Sequence, residues 1–221
     1  MRIAAISDVH NNWHKVNFKP ADILIIAGDM TNDGWKHEFN DMFDILSLYK
    51  NSYEEIIVVA GNHDGKLFER TQNGKNWFKK ELNTALGGKG IYLEHESIDV
   101  MGLKVFGSPF VNNYCQIGFN RNDEDRERLW KKIPKDTDIL VTHMPPYGIL
   151  DTIPDDSFIN GQIVKRDISV GCQHLRKELG DFPQLKAHIF GHIHPCGGRK
   201  INIDETAFLN VAACDMVVLD L

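Results

Sequence analysis

Five separate apolar runs in this chain each stop at a residue able to bind a metal, and that repetition constrains the fold more than any other feature. The runs are IAAIS before Asp8-Val9-His10, DILIIA before Gly28-Asp29, EEIIVVA before Gly61-Asn62-His63-Asp64, TDILVT before His143, and LKAHIF before Gly191-His192-Ile193-His194. Short runs of β-branched and aliphatic residues read as buried strands, and in open α/β sheets ligands bind beyond the carboxyl ends of the strands. The expectation is that the ligands converge on one edge of one sheet.

Between the strands the spacing predicts helices. Trp35, Phe39, Met42, Phe43, Leu46 and Tyr49 recur at helical intervals after the turn cluster Thr31-Asn32-Asp33-Gly34, which places a helix over 35–50. A second helix is expected near 122–132, with Asp123, Glu124 and Asp125 at its positive end and Pro134 beyond its stop. A third is expected from about Cys172 to Leu179, ending at Gly180. Elsewhere the chain reads as β: IYLE, then ESIDVM and LKVFGS joined by a turn at Met101-Gly102, and later RKINI, TAFLNVA and MVVLDL with a turn at Asp204-Glu205. Strand–helix alternation followed by hairpins suggests a four-layer α/β sandwich, two mixed β-sheets flanked by helices.

With 221 residues, 42% of them hydrophobic, the chain can bury the core of one α/β domain, and no linker or low-complexity segment divides residues 1–221. A net charge of −6 without a long basic run argues against a nucleic-acid polymer as partner. No run approaches the length of a membrane span or a signal-peptide core, so a soluble, cytoplasmic protein is expected. Cys115, Cys172, Cys196 and Cys214 show no CxxC spacing, which leaves reduced thiols as the expectation and neither a zinc knuckle nor a redox pair.

Asp8, His10, Asp29, Asn62, His143, His192 and His194 offer carboxylate, amide and imidazole donors in the number that a two-metal site needs. In the DVH and HIH triplets, alternate residues of an extended chain project to one side while Val9 and Ile193 point into the core. A lone histidine at a strand end is more often a packing residue than a ligand; five strand ends bearing such residues together favour metal binding. His14, His37, His95, His174 and His188 are assigned surface or structural duty, with His188 a candidate supporting partner for a ligand strand. Trp13, Phe110 and Tyr147 lie near the motifs in sequence, either stacking a base or roofing the pocket.

In that order Asp8-x-His10, Gly28-Asp29, Gly61-Asn62-His63-Asp64, Thr142-His143 and Gly191-His192-x-His194 resemble the full signature of calcineurin-like metallophosphoesterases. The resemblance implies one metal on Asp8, His10, Asp29 and His194, and a second on Asp29, Asn62, His143 and His192. Asp29 would be the bridge, and His63 with Asp64 a catalytic pair outside the metal shell. Phe106-Gly107-Ser108-Pro109, Gly118-Phe119-Asn120, THMPPYGILD and HIFGHIHPCGG are similar to the brain-expressed metallophosphoesterase-domain proteins and their microbial relatives, grouped with class III cyclic nucleotide phosphodiesterases. Some of that group carry Gly at the place of His192; its retention here implies two-metal activity.

Serine/threonine phosphatases of the superfamily follow the bridging aspartate with an Asp-Arg pair that grips phosphate, whereas Asp29 is followed by Met30-Thr31-Asn32-Asp33-Gly34. That departure favours diesters, which carry less charge. The expected partner is therefore a small phosphodiester, a cyclic nucleotide or a relative of one, cleaved by a hydroxide held between two ions. His63, oriented by Asp64, would protonate or stabilise the leaving oxygen. Manganese is the first expectation, with iron, zinc, nickel, cobalt and magnesium as alternatives. The competing readings are a phosphomonoesterase or nuclease on the same scaffold, or a weakly active metal-binding scaffold protein.

Overall fold

The computed structural model describes residues 1–112, 117–159 and 162–221. Strand β1 (Arg2–Ser7) and β2 (Ile23–Ala27) lead into helix α1 (Lys36–Tyr49), and β3 (Glu55–Val59) leads into α2 (Gly65–Arg70) and α3 (Gly74–Ala85). After β4 (Gly90–Leu93) comes the hairpin β5 (Glu96–Val100) and β6 (Leu103–Ser108), turned by Met101 at φ 50° and Gly102 at φ 81°. Two central residues at positive φ give a turn whose twist matches the strands it joins.

Helix α4 (Asp123–Trp130) precedes β7 (Ile139–Thr142), a long hairpin of β8 (Thr152–Ile159) and β9 (Gln162–Ser169), helix α5 (Gln173–Glu178) and β10 (Ala187–Phe190). The chain closes with β11 (Arg199–Ile203), β12 (Thr206–Asn210) and β13 (Ala213–Asp220).

The strands divide between two mixed sheets. One has the order β13-β1-β2-β3-β4, the other β11-β12-β10-β7-β6-β5, and β8-β9 stand apart as a ribbon. Strand alternation assigns the layers. Ile3, Ala5, Ile25, Ile57 and Val59 from the first sheet and Val105, Val141, Ile189 and Leu209 from the second share one buried cluster, the inter-sheet core. Ala4, Ile6, Leu24, Ile26, Ile56 and Val58 face the other way, in a cluster with Phe39, Met42 and Leu46 of α1 and Phe78 and Leu82 of α3. Trp130 at the end of α4 and Leu175 of α5 cover the outer residues Phe106, Leu140, Phe190 and Phe208 of the second sheet. The result is the four-layer arrangement expected from the sequence.

Three features depart from the sequence reading. The five ligand-bearing strands do not share a sheet: β1, β2 and β3 belong to one, β7 and β10 to the other. Helices α2 and α3 and the β8–β9 ribbon had no counterpart in the periodicity, because their apolar positions are few and interrupted by Lys, Asn and Asp. The IYLE strand joins the first sheet parallel to β3, while the two strands after it form the hairpin in the other sheet, a division the sequence reading did not make. Cys172 and Cys196 are free buried thiols, and Cys115 lies outside the described residues. Among the described residues no helix is long and apolar enough to cross a membrane.

Candidate metal centre

The carboxyl ends of β1, β2 and β3 meet those of β7 and β10 across the two sheets, and the side chains there form three overlapping donor groups. Asp8, His10 and His194 make one, Asp29, His143 and His192 another, and His10, Asp29 and His63 link them; within each group the ligand atoms lie within 4.8 Å of one another. Asn62 joins through its Oδ1, 3.0 Å from His143 Nε2.

Local backbone geometry makes this convergence possible. Asp8 (φ 55°), His10 (φ 44°), Asp29 (φ 50°) and His192 (φ 67°) all adopt left-handed conformations that side chains with a Cβ rarely take. The DVH and HIH segments are therefore sharp turns, not the extended triplets expected, although Val9 and Ile193 are buried as anticipated. Gly61 is required by crowding: a Cβ there would run into the Asp29 carboxylate and the His143 ring.

Three imidazoles are oriented in the same way. His10 Nδ1 lies 3.2 Å from Thr31 O, His63 Nδ1 2.6 Å from Asn32 O and His143 Nδ1 2.8 Å from Ala27 O. A carbonyl only accepts, so in each ring Nδ1 carries hydrogen and Nε2 is left to face the site. The carboxylates are fixed as well. Asp8 Oδ2 accepts from His192 N at 2.8 Å while Oδ1 lies 3.1 Å from His194 Nε2. Asp29 Oδ1 accepts from His63 N at 2.8 Å, and Oδ2 is 3.3 Å from His143 Nε2 and 3.9 Å from His10 Nε2.

The electrostatics fit a cation. Asp8 and Asp29 are 7% and 2% exposed, and although burial opposes it, the neighbouring histidines hold both carboxyls below their usual range. His143 is fully buried, which should neutralise it, yet the charge of Asp29 raises it to about 9. The cavity draws positive charge to Nε2, the place a divalent ion would occupy in exchange for the proton. His192 is pushed down to about 4, first by burial and then by His143, so its imidazole is neutral and suited to ligation. With Asp29 common to two of the three donor groups, the residues present fit divalent metal binding.

One expected pairing is corrected. Asp64 does not orient His63: its carboxylate points beneath the site and accepts from Gly61 N (2.8 Å), Thr31 N (3.0 Å), Thr31 Oγ1 (2.7 Å) and Met30 N (3.3 Å). Burial, then the nearby charge of Asp29, raises its pKa to about 7. The residue clamps the β2 and β3 loops together, and the Asn32 carbonyl does the orienting.

Glu38, absent from the sequence reading, organises that carbonyl. Its buried carboxylate accepts from Asn11 Nδ2 (3.0 Å), Asn32 N (3.1 Å), Asp33 N (3.3 Å) and Trp35 N (2.8 Å). The available signal was its place three residues after the helix N-cap, the capping-box spacing, obscured because Trp35 rather than Ser or Thr stands at the cap.

His188 is completely buried with Nε2 2.8 Å from Thr142 Oγ1, which in turn donates to Met144 O at 2.6 Å. It therefore supports the residue preceding His143. Of the three aromatics expected to stack a base or roof the pocket, Trp13 is a core residue whose Nε1 donates to Met30 O, Phe110 is buried beneath the Arg121 guanidinium, and Tyr147 alone is exposed.

Comparison with known proteins shows the family. A family profile described as calcineurin-like phosphoesterase matches residues 1–196. A UPF0046 protein of Caenorhabditis elegans is 32% identical over 97% of this chain and 70% of its own length. Metallophosphoesterase domain-containing protein 1 of Homo sapiens is 31% identical over 96% of the chain and 66% of its own length. A probable rhamnogalacturonate lyase C of Emericella nidulans is 35% identical over 91% of the chain, which spans only 18% of that protein.

Proposed function

The chain belongs to the calcineurin-like phosphoesterase family and is a metal-dependent phosphoester hydrolase, and from that premise we propose that it cleaves small phosphodiesters, cyclic nucleotides among them, at a site for two divalent ions. The observation that carries this reading is the position of Asp29, whose Oδ2 faces His143 on one side and His10 on the other. Asp8, His10, Asp29 and His194 would hold one ion, and Asp29, Asn62, His143 and His192 the other. When bound, such ions act as Lewis acids toward phosphoryl oxygens and make water nucleophilic near neutral pH. The mixed nitrogen and oxygen donors suit manganese, iron or zinc, with manganese our first choice.

The protein's own part is orientation and proton management. Nδ1–H donation to backbone carbonyls fixes the rings of His10, His63 and His143 before substrate arrives, so no reorganisation is needed during the reaction. His63 reaches the edge of the donor cluster, its ring meeting that of His10 edge-on at 4.7 Å. From there, with Nε2 also protonated, the imidazolium can give the Nε2 proton to the departing oxygen and return to the neutral Nδ1–H form that Asn32 O holds. The Met30–Gly34 loop carries no arginine, which supports a diester, with its single charge, over a doubly charged monoester.

The test is hydrolysis of bis-p-nitrophenyl phosphate against p-nitrophenyl phosphate with Mn, Fe, Co, Ni, Zn and Mg, followed by 2′,3′- and 3′,5′-cyclic nucleotides. Preference for the diester supports the proposal. Preference for the monoester sinks the substrate assignment, and inactivity with every metal sinks the whole reading.

A further inference from the structure

On the His63 side of the site stand two side chains that the metal ligands do not account for. Trp35 is 49% exposed, and the Lys66 ammonium sits 3.1 Å from the centre of its ring. Lys66 follows His63 by three residues in a continuous helical stretch, the turn at Asn62–Asp64 running into α2, and residues three apart on a helix share a face. Trp35 is tied to His63 from the other direction. Its backbone N–H donates to Glu38, the same carboxylate takes the Asn32 N–H, and the Asn32 carbonyl holds the His63 ring. Two segments linked to His63 thus bring an indole face and an ammonium together.

The charge on Lys66 is otherwise unspent. Among the described residues its ammonium has no carboxylate within ion-pair distance and no hydrogen-bond acceptor; the Trp35 ring is its contact. A cation–π contact steadies an ammonium without neutralising it and leaves N–H donors directed away from the ring free for a ligand. An ammonium held on an indole face about one helical turn from His63 can receive an anionic oxygen. A lysine is also a point charge rather than a bidentate fork, matching one phosphoryl oxygen instead of the two gripped by an arginine.

We propose that Lys66, steadied by Trp35, binds an anionic oxygen of the substrate on the His63 side of the metal centre and so determines which phosphoesters the site accepts. This assignment rests on the phosphoesterase reading above. The anion is either a non-bridging oxygen of the reacting phosphoryl group or a second acidic group on the ester substituent, and the two differ in which substrates feel the loss of Lys66.

The experiment uses the metal-loaded full chain as wild type, K66Q, K66R and W35A, with bis-p-nitrophenyl phosphate and with a nucleoside 2′,3′-cyclic phosphate bearing a 5′-phosphate. K66Q is expected to raise KM about tenfold, the loss of one charge-assisted hydrogen bond, with kcat within about twofold and a weaker salt dependence of kcat/KM. K66R should restore KM, and W35A should raise it less than K66Q does. A rise on both substrates places Lys66 on the reacting phosphoryl group; a rise confined to the 5′-phosphorylated nucleotide places it on a second anion. Unchanged KM and unchanged salt dependence on both, in an active enzyme, overturn the proposal. Should the wild type hydrolyse neither, the phosphoesterase reading fails, and calorimetric titration with inorganic phosphate still decides the matter: equal binding by wild type and K66Q overturns the role of Lys66, weaker binding by K66Q supports it.

Discussion

The Nδ1 atom of His63 lies 2.6 Å from the carbonyl oxygen of Asn32, so a backbone group 31 residues earlier, and not the adjacent Asp64, sets the tautomer of the proposed proton donor. That contact separates the roles of two neighbours that the sequence presents as a pair.

His63→Ala should leave metal content near that of the wild type and lower kcat by about a hundredfold or more, the range of general acid catalysis. The ring is partly exposed and the backbone N–H that meets Asp29 is retained, so folding should survive. Metal analysis beside single-turnover rates checks this; full turnover with metal bound would remove His63 from the chemistry.

Asp64→Ala should behave differently, as a stability mutant. Its carboxylate, fully buried, is the acceptor for three backbone N–H groups and the Thr31 hydroxyl, and stranding such donors costs at least about 3 kcal/mol. Chemical denaturation should show a lowered midpoint. A variant as stable as the wild type but inactive would restore the catalytic role first expected of Asp64.

Asp29→Asn removes the charge shared by both donor groups. Changes to groups that merely support a ligand cost about 10- to 100-fold in affinity, so loss of the ligand itself should weaken both sites by more than about a hundredfold. Titration with manganese, read by calorimetry, should show no tight site in the variant. Retention of two tight sites would refute the bridging position.

His188 makes stability acid-sensitive. Complete burial depresses its pKa to about 3, against about 6.5 in the unfolded chain. Below pH 6.5 the unfolded state binds a proton that the native state refuses, so stability falls by up to about 1.4 kcal/mol per pH unit toward pH 3, and is unaffected above pH 6.5. His188→Gln keeps a donor for Thr142 and cannot titrate. Its urea midpoint should therefore decline less steeply than that of the wild type between pH 6.5 and 4; parallel curves would show that His188 is not the group responsible.

What could be read from the sequence was local. Each of the five strands announced itself by an unbroken apolar run, and each candidate ligand by its place just after one. Asp8, His10, Asp29, Asn62, His63, His143, His192 and His194 are accordingly all found at one site. Helix α1 was equally plain because Phe39, Met42 and Leu46 mark one face. Helix α3 was not, since Phe78 and Leu82 are too sparse among Lys, Asn and Glu to stand out as a period.

Tertiary structure alone decided the rest, for one physical reason: backbone donors and acceptors are present at every residue and leave no mark in the sequence. Asn32 O on His63, Ala27 O on His143 and Thr31 O on His10 become visible only when distant segments pack together. The same holds for the clamp at Asp64 and for Glu38, whose carboxylates collect peptide N–H groups. Sequence thus determined which atoms could bind metal, and tertiary packing determined which nitrogen of His10, His63 and His143 faces the site, where the donor groups join, and that Lys66 lies on the Trp35 ring.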